Sequence, residues 1–502
     1  MGCGVLSAAS SRFILASGRA RLGDVLEHLA RIHGERDMIS EHRSGRVISY
    51  RAASELTQRW SASVAARSQP GEPVVIAMPN GVDQFLMCLA VARAGRIPAP
   101  VNDQMRAAEI DHVVADAGAS LVIRSVRSLR GSAPPIESST PQASDVAALF
   151  YTSGTTGKPK GVALTHRSLL ASAPAAMAPT WLRSDEVVAA LPVAHIMGFA
   201  TYLSLALSGV RTYSLEVFDA VEVLEVIETR RPTGFIGVPS MYRKLAEVGA
   251  ASRHLRSIRF WGSGADVMPT ELVDLFKSFG ATAHLPLVGD VGQAAFVEGY
   301  GMVEVGGGVA ASMSLPFVPA SLSAGVGITL PGYRTRVVDP AGRAVRVGSV
   351  GELLVKGPGV LAGYWGAPEA TAQVLDADGW LSTGDLVRRG PAGVFTFQGR
   401  AKQVIKTGGF TVYPLEVEAA LEEHPDVLQA AVVGIPSATK GQVPAAAIRL
   451  RPGARATAAD VEAWVGERLS RYKTPRRIVV VDELASGGTG KVQKDHLLEL
   501  FT

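Results

Sequence analysis

The sequence predicts an α/β protein. It has a large multi-subdomain N-terminal part with parallel sheets and a small β-subdomain, followed by a smaller C-terminal domain. Three observations carry this. At 502 residues the chain exceeds what one hydrophobic core organises, so two or more domains are expected. Short apolar runs alternate with stretches of helical periodicity, the pattern of parallel strands covered by helices on both faces. Further on, the pattern shifts toward period two with many Val and Gly, as in a small β-subdomain.

Taken in order, 22–30 is apolar at helical spacing and 46–50 alternates like a strand. The runs 74–78 and 121–123 read as strands, separated by the helical patterns 84–94 and 107–117. Between them, 97–101 is a weaker strand, because Pro98 and Pro100 confine it to an edge or a strand end. The stretch 187–210 has no Asp, Glu, Lys or Arg and is long enough to span a membrane. Pro192, His195, Gly198 and Gly209 interrupt it, so a strand, a turn at 192–198 and a short buried helix are expected instead. The period-two stretches are 325–339 and 349–356. After Gly399-Arg400-Ala401-Lys402-Gln403 a new α/β stretch runs through 414–422, 427–433, 445–450, 459–470 and 478–481. This places an N-terminal domain at 1–399, a C-terminal domain at 402–502 and the junction at 400–402.

The composition, 47% apolar and 19% charged, is that of a globular chain. A formal charge of +4 is mild at this length and agrees with an anionic substrate without requiring one. No block of like charges suggests a nucleic-acid arm. The two cysteines, Cys3 and Cys88, provide neither a disulfide framework nor a CxxC metal site, which fits a reducing cytoplasm. Residues 1–22 contain arginines but no acid. Arg12, Arg19 and Arg21 interrupt any apolar segment, so a frayed leader is expected rather than a secretory signal.

The most informative run is Tyr151-Thr152-Ser153-Gly154-Thr155-Thr156-Gly157-Lys158-Pro159-Lys160-Gly161. Small residues let the backbone turn tightly so that amide N–H groups point at phosphate oxygens, and the hydroxyls and lysines add donors and charge. It is not a Walker A loop, since Pro159 stands where Ser or Thr would follow the lysine. Downstream, Tyr300-Gly301-Met302-Val303-Glu304 supplies an aromatic face for a purine, a tight turn and a carboxylate suited to Mg²⁺. Thr383-Gly384-Asp385 and Arg400 offer a carboxylate and a guanidinium that suit ribose hydroxyls. Lys491 sits on the glycine-rich stretch Gly487-Gly488-Thr489-Gly490-Lys491. Each motif alone is also a common surface turn; their order in one chain is what gives them weight.

In that order, and with Gly351-Glu352-Leu353-Leu354-Val355-Lys356-Gly357-Pro358 and Gly363-Tyr364-Trp365, the chain resembles the adenylate-forming enzymes over about residues 22–500. That superfamily contains acyl- and aryl-CoA synthetases, adenylation domains and beetle luciferases, and fatty acyl-CoA synthetases are the nearest in pattern. The resemblance implies that Thr152, Ser153, Gly154, Thr155, Thr156, Gly157 and Lys160 bind the ATP phosphates. Glu304 would hold Mg²⁺, and Gly264, Ala265, Tyr300, Gly301, Asp385 and Arg400 would bind adenine and ribose. Lys491 would stabilise charge at the reacting α-phosphate, and Lys402 would be the hinge of a mobile C-terminal domain. Gly408 and Gly409 would leave a channel for the phosphopantetheine arm of coenzyme A, and His195 would gate the acyl site. Threonine is usual in the family where this chain has Val303.

By the same analogy, 235–242, 261–265 and 305–308 would line the acyl pocket. These stretches hold no acid to partner an ammonium group, and Gly306, Gly307 and Gly308 would leave room for an aliphatic chain. The resemblance thus implies a fatty acid–CoA ligase using ATP, Mg²⁺ and coenzyme A, with at most peripheral membrane contact and no nucleic acid. An acyl-AMP ligase loading an acyl carrier protein and a nucleotide-binding protein without turnover are the alternatives.

Overall fold

The computed structural model describes residues 10–15, 17, 20–129, 142–152, 159–171, 186–320, 327–485 and 492–501. The chain forms two compact units, Met1–Arg334 with Val355–Leu381, and Thr335–Leu354 with Ser382–Thr502. Residue 399, the expected boundary, lies inside the second unit.

The first unit is built on a nine-stranded sheet. Its strands run, in spatial order, Ile328–Thr329, Gly307–Ser314, Ala295–Met302, Phe260–Gly264, Gly234–Gly237, Glu186–Ala189, Arg211–Ser214, Asp37–Glu41 and Val47–Ser49. The six strands from Ala295–Met302 to Asp37–Glu41 are parallel, and the edges are closed by antiparallel partners. A three-stranded parallel sheet orders Ile97–Pro100, Pro73–Ile76 and Leu121–Ile123. Ile97–Pro100 is at its edge, where strand prolines remove no ladder donor that a neighbour needs. A further antiparallel sheet joins Gly363–Tyr364, Lys160–Thr165 and Val146–Thr152.

The uncharged stretch folds as expected into the strand Glu186–Ala189, a turn, and the helix Ile196–Ser208, which is capped by Gly209 at φ 69°. No helix among the described residues is long and apolar enough to cross a membrane. Gly198 makes this turn possible: a Cβ there would lie 2.0 Å from the Pro192 carbonyl oxygen.

One face of the large sheet carries an aromatic core. Phe235, Tyr242, Trp261, Phe276 and Phe296 are fully buried and contact one another edge to face or tilted. The Tyr242 hydroxyl donates to the Gly262 carbonyl at 2.7 Å. The expectation that 235–242 and 261–265 line the acyl pocket therefore does not hold for Phe235, Tyr242 and Trp261. Those rings pack under the helices Pro239–Glu247 and Thr270–Phe279, and only the residues between them reach the other face.

Arg334–Val338, Val350–Lys356, Leu381–Arg389 and Phe395–Arg400, most of whose residues belong to the second unit, form a four-stranded sheet. A five-stranded sheet follows, formed by Phe410–Val412, Ile405–Thr407, Gly441–Leu450 and Val427–Ser437, with Ile478–Val480 pairing in parallel on Gly441–Leu450. Val417 and Leu421 of one helix and Val461 and Val465 of another cover one face. Leu484, Leu497 and Phe501 cover the other.

Gly198→Ala is expected to destabilise the protein by about 1–3 kcal/mol, because the added carbon meets backbone that cannot move aside. Urea unfolding should show a lower midpoint with an unchanged slope.

Candidate active site

The site residues of the first unit gather where the parallel strands end, the edge at which open α/β sheets bind ligands. Phe260–Gly264 ends in Gly264 and Ala265, and Gly264 is the register partner of Gly299 on the neighbouring strand. Ala265 has φ 69°, a left-handed conformation uncommon for a residue with a side chain. Tyr300 follows Gly299 on the strand Ala295–Met302, so Ala265 and Tyr300 flank one slot at the strand ends.

A bulge shifts the register between Tyr300 and Gly301, and the chain turns back at 303–306. A Cβ on Gly301 would lie 1.7 Å from the Gly307 carbonyl oxygen, so glycine is obligatory there. The short turn Val303–Val305 carries Glu304 and closes on Gly306 at φ 65°. The Glu304 carbonyl accepts from the Leu361 amide at 2.8 Å, and its carboxylate Oε1 accepts from the Tyr364 hydroxyl at 3.0 Å. The Lys160 ammonium lies 5.4 Å from the centroid of that tyrosine ring. Tyr364 thus joins the two, with Lys160 over its ring face and Glu304 at its hydroxyl. Tyr364 was legible only as part of a family signature; its role as the donor to Glu304 appears in the structure alone.

Thr152 and Lys160 are cross-strand partners, so two antiparallel strands pin the two ends of the phosphate-loop run. Ser153, Gly154, Thr155, Thr156 and Gly157 lie outside the described residues, as does Lys491. Val303 is nearly buried, at 9% exposure.

His195 is the N-cap of the helix Ile196–Ser208, and its Nδ1 accepts from the Met197 amide at 3.3 Å. That bond assigns the proton of the neutral ring to Nε2. Met197 reaches back to the sheet: a Cβ on Gly264 would meet its Cε at 3.4 Å, and one on Gly307 would meet Ala200 at the same distance. Gly262, Gly264 and Gly299 thus form a side-chain-free stripe on the face opposite the aromatic core. The expectation that Gly306, Gly307 and Gly308 leave an open channel holds least well at Gly306. There a Cβ would lie 2.7 Å from the Ser168 carbonyl, so the space is already filled by backbone.

The structure also shows a group the sequence reading missed. Glu298 lies on the aromatic face, in one row with Ser263 and Ser312 across three strands. The Ser263 Oγ is buried without a partner among the described residues. Burial pushes the Glu298 carboxyl up to about 7 from its ordinary 4.5. A lone acid inside an apolar strand was the available signal.

In the second unit, Asp385 and Arg400 are cross-strand partners and form an ion pair at 2.7 Å. The Asp385 side chain is buried, while Arg400 is partly open to solvent. The Thr383 hydroxyl donates to the Leu353 carbonyl and accepts from the Asp385 amide, which fixes the turn that presents the carboxylate. Lys402 sits in the one-turn helix Ala401–Gln403. Gly408 and Gly409, at φ 54° and 85°, form the hairpin turn between Ile405–Thr407 and Phe410–Val412. The turn alone accounts for both glycines.

The model of the AMP-binding enzyme family matches residues 26–365, and that of the AMP-binding enzyme C-terminal domain matches 416–491. The chain belongs to this adenylate-forming family. It is 33% identical over 482 residues to a feruloyl-CoA synthase from Amycolatopsis sp, covering 91% of this chain and 94% of that one. A long-chain-fatty-acid–CoA ligase from Bacillus subtilis (strain 168) is 33% identical over 364 residues, covering 71% of this chain and 62% of the relative. Among solved structures, ATP-bound MatB from Rhodopseudomonas palustris superposes with a TM-score of 0.84 at 27% identity, covering 96% of this chain and 99% of that one.

The folded protein accommodates the neutral form of Glu298. Its contribution to stability is therefore complete below the unfolded-state value near 4.5 and is lost as pH rises through about 7. Allowing for partial exposure, we expect about 1–3 kcal/mol to be lost between pH 4.5 and 8. In Glu298→Gln that decline should flatten, as read from urea midpoints across the pH range.

Proposed function

We propose that the protein is an ATP-dependent acid–CoA ligase that activates an apolar carboxylic acid, a fatty acid in our reading, and passes the acyl group to coenzyme A. The observation that carries the proposal is the joining of Lys160 and Glu304 through Tyr364, set beside Tyr300 at the ends of the parallel strands. It assembles positive charge, a rigid donor and a carboxylate at one edge, as nucleotide phosphate chemistry requires.

In the first half-reaction a carboxylate oxygen of the acid attacks the α-phosphorus of ATP. The new O–P bond forms as the bond to the β-phosphate bridge breaks, and pyrophosphate leaves. The loop from Thr152 to Gly157 and Lys160 would hold the phosphates. Ala265, Gly264 and Tyr300 would enclose the adenine, and Asp385 with Arg400 the ribose. Lys491 would stabilise charge on the α-phosphate without moving a proton. In the second half-reaction the thiol sulfur of coenzyme A attacks the acyl carbon, its proton is lost, and AMP departs. We assign the hinge between the two half-reactions to Lys402 and the thiol path to Gly408 and Gly409.

The residues present fit Mg²⁺. One Glu304 oxygen is occupied by Tyr364 and the other remains for a cation. Mg²⁺ keeps most of its waters and takes one or two carboxylates together with phosphate oxygens, so a single glutamate suffices. Bound there, the ion would neutralise phosphate charge.

The preference for an apolar acid rests on the stripe of Gly262, Gly264 and Gly299, with Met197 against Gly264. At Gly299 the backbone would accept any residue, and the nearest atom to an added Cβ is the Ser263 carbonyl at 3.9 Å. Neither conformation nor packing requires glycine at that position, which leaves substrate space as its reason. A second reading, an aryl acid, is favoured by the broad match to the feruloyl-CoA synthase.

The test is ATP consumption against free acids from short to very long chain and aryl acids, with and without coenzyme A, with products read by mass spectrometry. Acyl-CoA from medium or long acids supports the reading. Acyl-AMP that accumulates despite coenzyme A moves the function to carrier-protein loading, and no turnover with any acid leaves nucleotide binding alone.

Two variants probe the roles. Tyr364→Phe removes a hydrogen bond to a charged group, worth about 1.5–3 kcal/mol. It is expected to raise the Mg²⁺ concentration for half-maximal pyrophosphate release about tenfold or more. Lys491→Ala is expected to abolish acyl-AMP formation while largely sparing thioester formation from supplied acyl-AMP; equal loss of both steps would contradict its assignment.

A further inference from the structure

At the opposite end of the same strands lies a feature that adenylation does not use. The antiparallel strands Ala283–Leu285 and Gly289–Val291 form a hairpin whose tip, Leu285-Pro286-Leu287-Val288, is apolar and exposed. Leu287 is fully exposed and Val288 is 70% exposed. The Val288 amide donates to the Leu285 carbonyl, closing a turn with Pro286 second and Leu287 third at φ 70°. Glycine or asparagine is the usual residue at such a position. The chain instead places a leucine there, in a disfavoured conformation, and turns it to solvent. Phe317, at φ 64° and 72% exposed, stands beside the hairpin base, where it would lie 3.5 Å from a Cβ on Gly292.

At the base of the hairpin is an open depression of about 310 Å³ lined by Arg231, Thr233, Ser257, Arg259, His284 and Asp290. Asp290 accepts from Arg259 at 2.8 Å and pairs with His284 at 3.2 Å and Arg231 at 3.4 Å. One carboxylate faces two guanidiniums and an imidazole, which leaves the depression cationic. The Arg231 and His284 side chains are 60% and 61% exposed, so both can turn to a ligand. Ser257 is 6% exposed, and its hydroxyl has no partner among the described residues although it lines this depression.

We propose that this hairpin and depression form a docking site for an anionic lipid surface. Leu285, Leu287 and Val288 enter the boundary between headgroups and acyl chains, and Arg231, Arg259 and His284 take the lipid phosphate. Three features favour a membrane over a protein partner. The apolar part is a protruding tip rather than a groove. It extends two residues, about 7 Å, past the His284–Asp290 pair, within the roughly 5–10 Å to which interfacial elements sink. The cation cluster sits at the level where headgroup phosphates would then lie, so apolar and charged parts match the layering of a bilayer.

The test is co-sedimentation of the full-length protein with vesicles of phosphatidylcholine alone or with about one third phosphatidylglycerol, at 0.15 M salt. The wild type is expected to bind the anionic vesicles at least tenfold more tightly than the neutral ones. Leu287→Ser combined with Val288→Ser should weaken binding to both about tenfold. Arg231→Gln should remove most of the anionic preference, with urea midpoint and turnover of a water-soluble acid unchanged in both variants. These surface changes leave the core intact. No binding of wild type to anionic vesicles, or binding indifferent to both variants, overturns the proposal. Inorganic phosphate bound by calorimetry in an Arg231-dependent manner without vesicle binding would make the depression a soluble-anion site and also overturn it. So would a wild-type dimer in sedimentation velocity that the double variant turns into a monomer, since the tip would then belong to a second copy.

Discussion

The candidate active site depends on one backbone crossing. Where the strand Ala295–Met302 turns back into Gly307–Ser314, Gly301 and Gly307 approach so closely that no side chain fits on Gly301. Gly306 in turn lies against the Ser168 and Gly359 carbonyls. Glu304 is therefore fixed from three directions: by the crossing, by the Leu361 amide, and by the Tyr364 hydroxyl. A carboxylate on an unsupported loop would lose orientation entropy each time it engaged a cation. Here that ordering is already present in the folded state. Tyr300, one residue before the crossing, gains its position from the same constraint.

The sheet separates rigidity from recognition by using its two faces differently. Alternation along parallel strands sends Phe235, Trp261 and Phe296 to one side, in register, and Ile236, Gly262 and Val297 to the other. The first set locks against two helices in edge-to-face contacts, each adding roughly 0.5–1.5 kcal/mol beyond the area it buries. On the second side the glycines Gly264 and Gly299 carry no side chain, so Met197 comes close to Gly264 while space is left at Gly299. Substrate variation within such a scaffold can then occur on that face without disturbing the core behind it.

This division also explains which parts of the protein were legible in its sequence. Strands, helices and the turn at 192–198 follow from apolar periodicity and from Pro and Gly placement, and Pro98 and Pro100 located an edge strand for a purely local reason. The phosphate-loop run and the 300–304 motif were legible because their chemistry needs contiguous residues. What could not be read was facing. Phe235, Tyr242 and Trp261 looked like pocket walls because they neighbour pocket residues in sequence, yet a one-residue step along a strand moves a side chain to the opposite face. Pairings between distant segments were equally hidden: Tyr364 with Glu304, and Glu298 with Ser263 and Ser312, arise only once the strands are ordered. Gly306 looked like empty space, although its neighbour is a carbonyl from far upstream.

A parallel sheet has two unlike ends, and the chain uses both. Ala265, Tyr300 and Glu304 occupy the end where the strands finish. Thr233, Ser257 and Arg259 precede the strands Gly234–Gly237 and Phe260–Gly264 and so lie at the end where they start. The apolar hairpin is attached at that second end, because it connects the helix Thr270–Phe279 back to the beginning of Ala295–Met302. A surface held by the hairpin would thus approach the starting ends of the strands, away from their finishing ends. On the proposal made above, that polarity leaves the nucleotide site accessible while the hairpin is docked. Strand direction keeps the proposed docking site and the candidate active site apart, with the aromatic core packed between them.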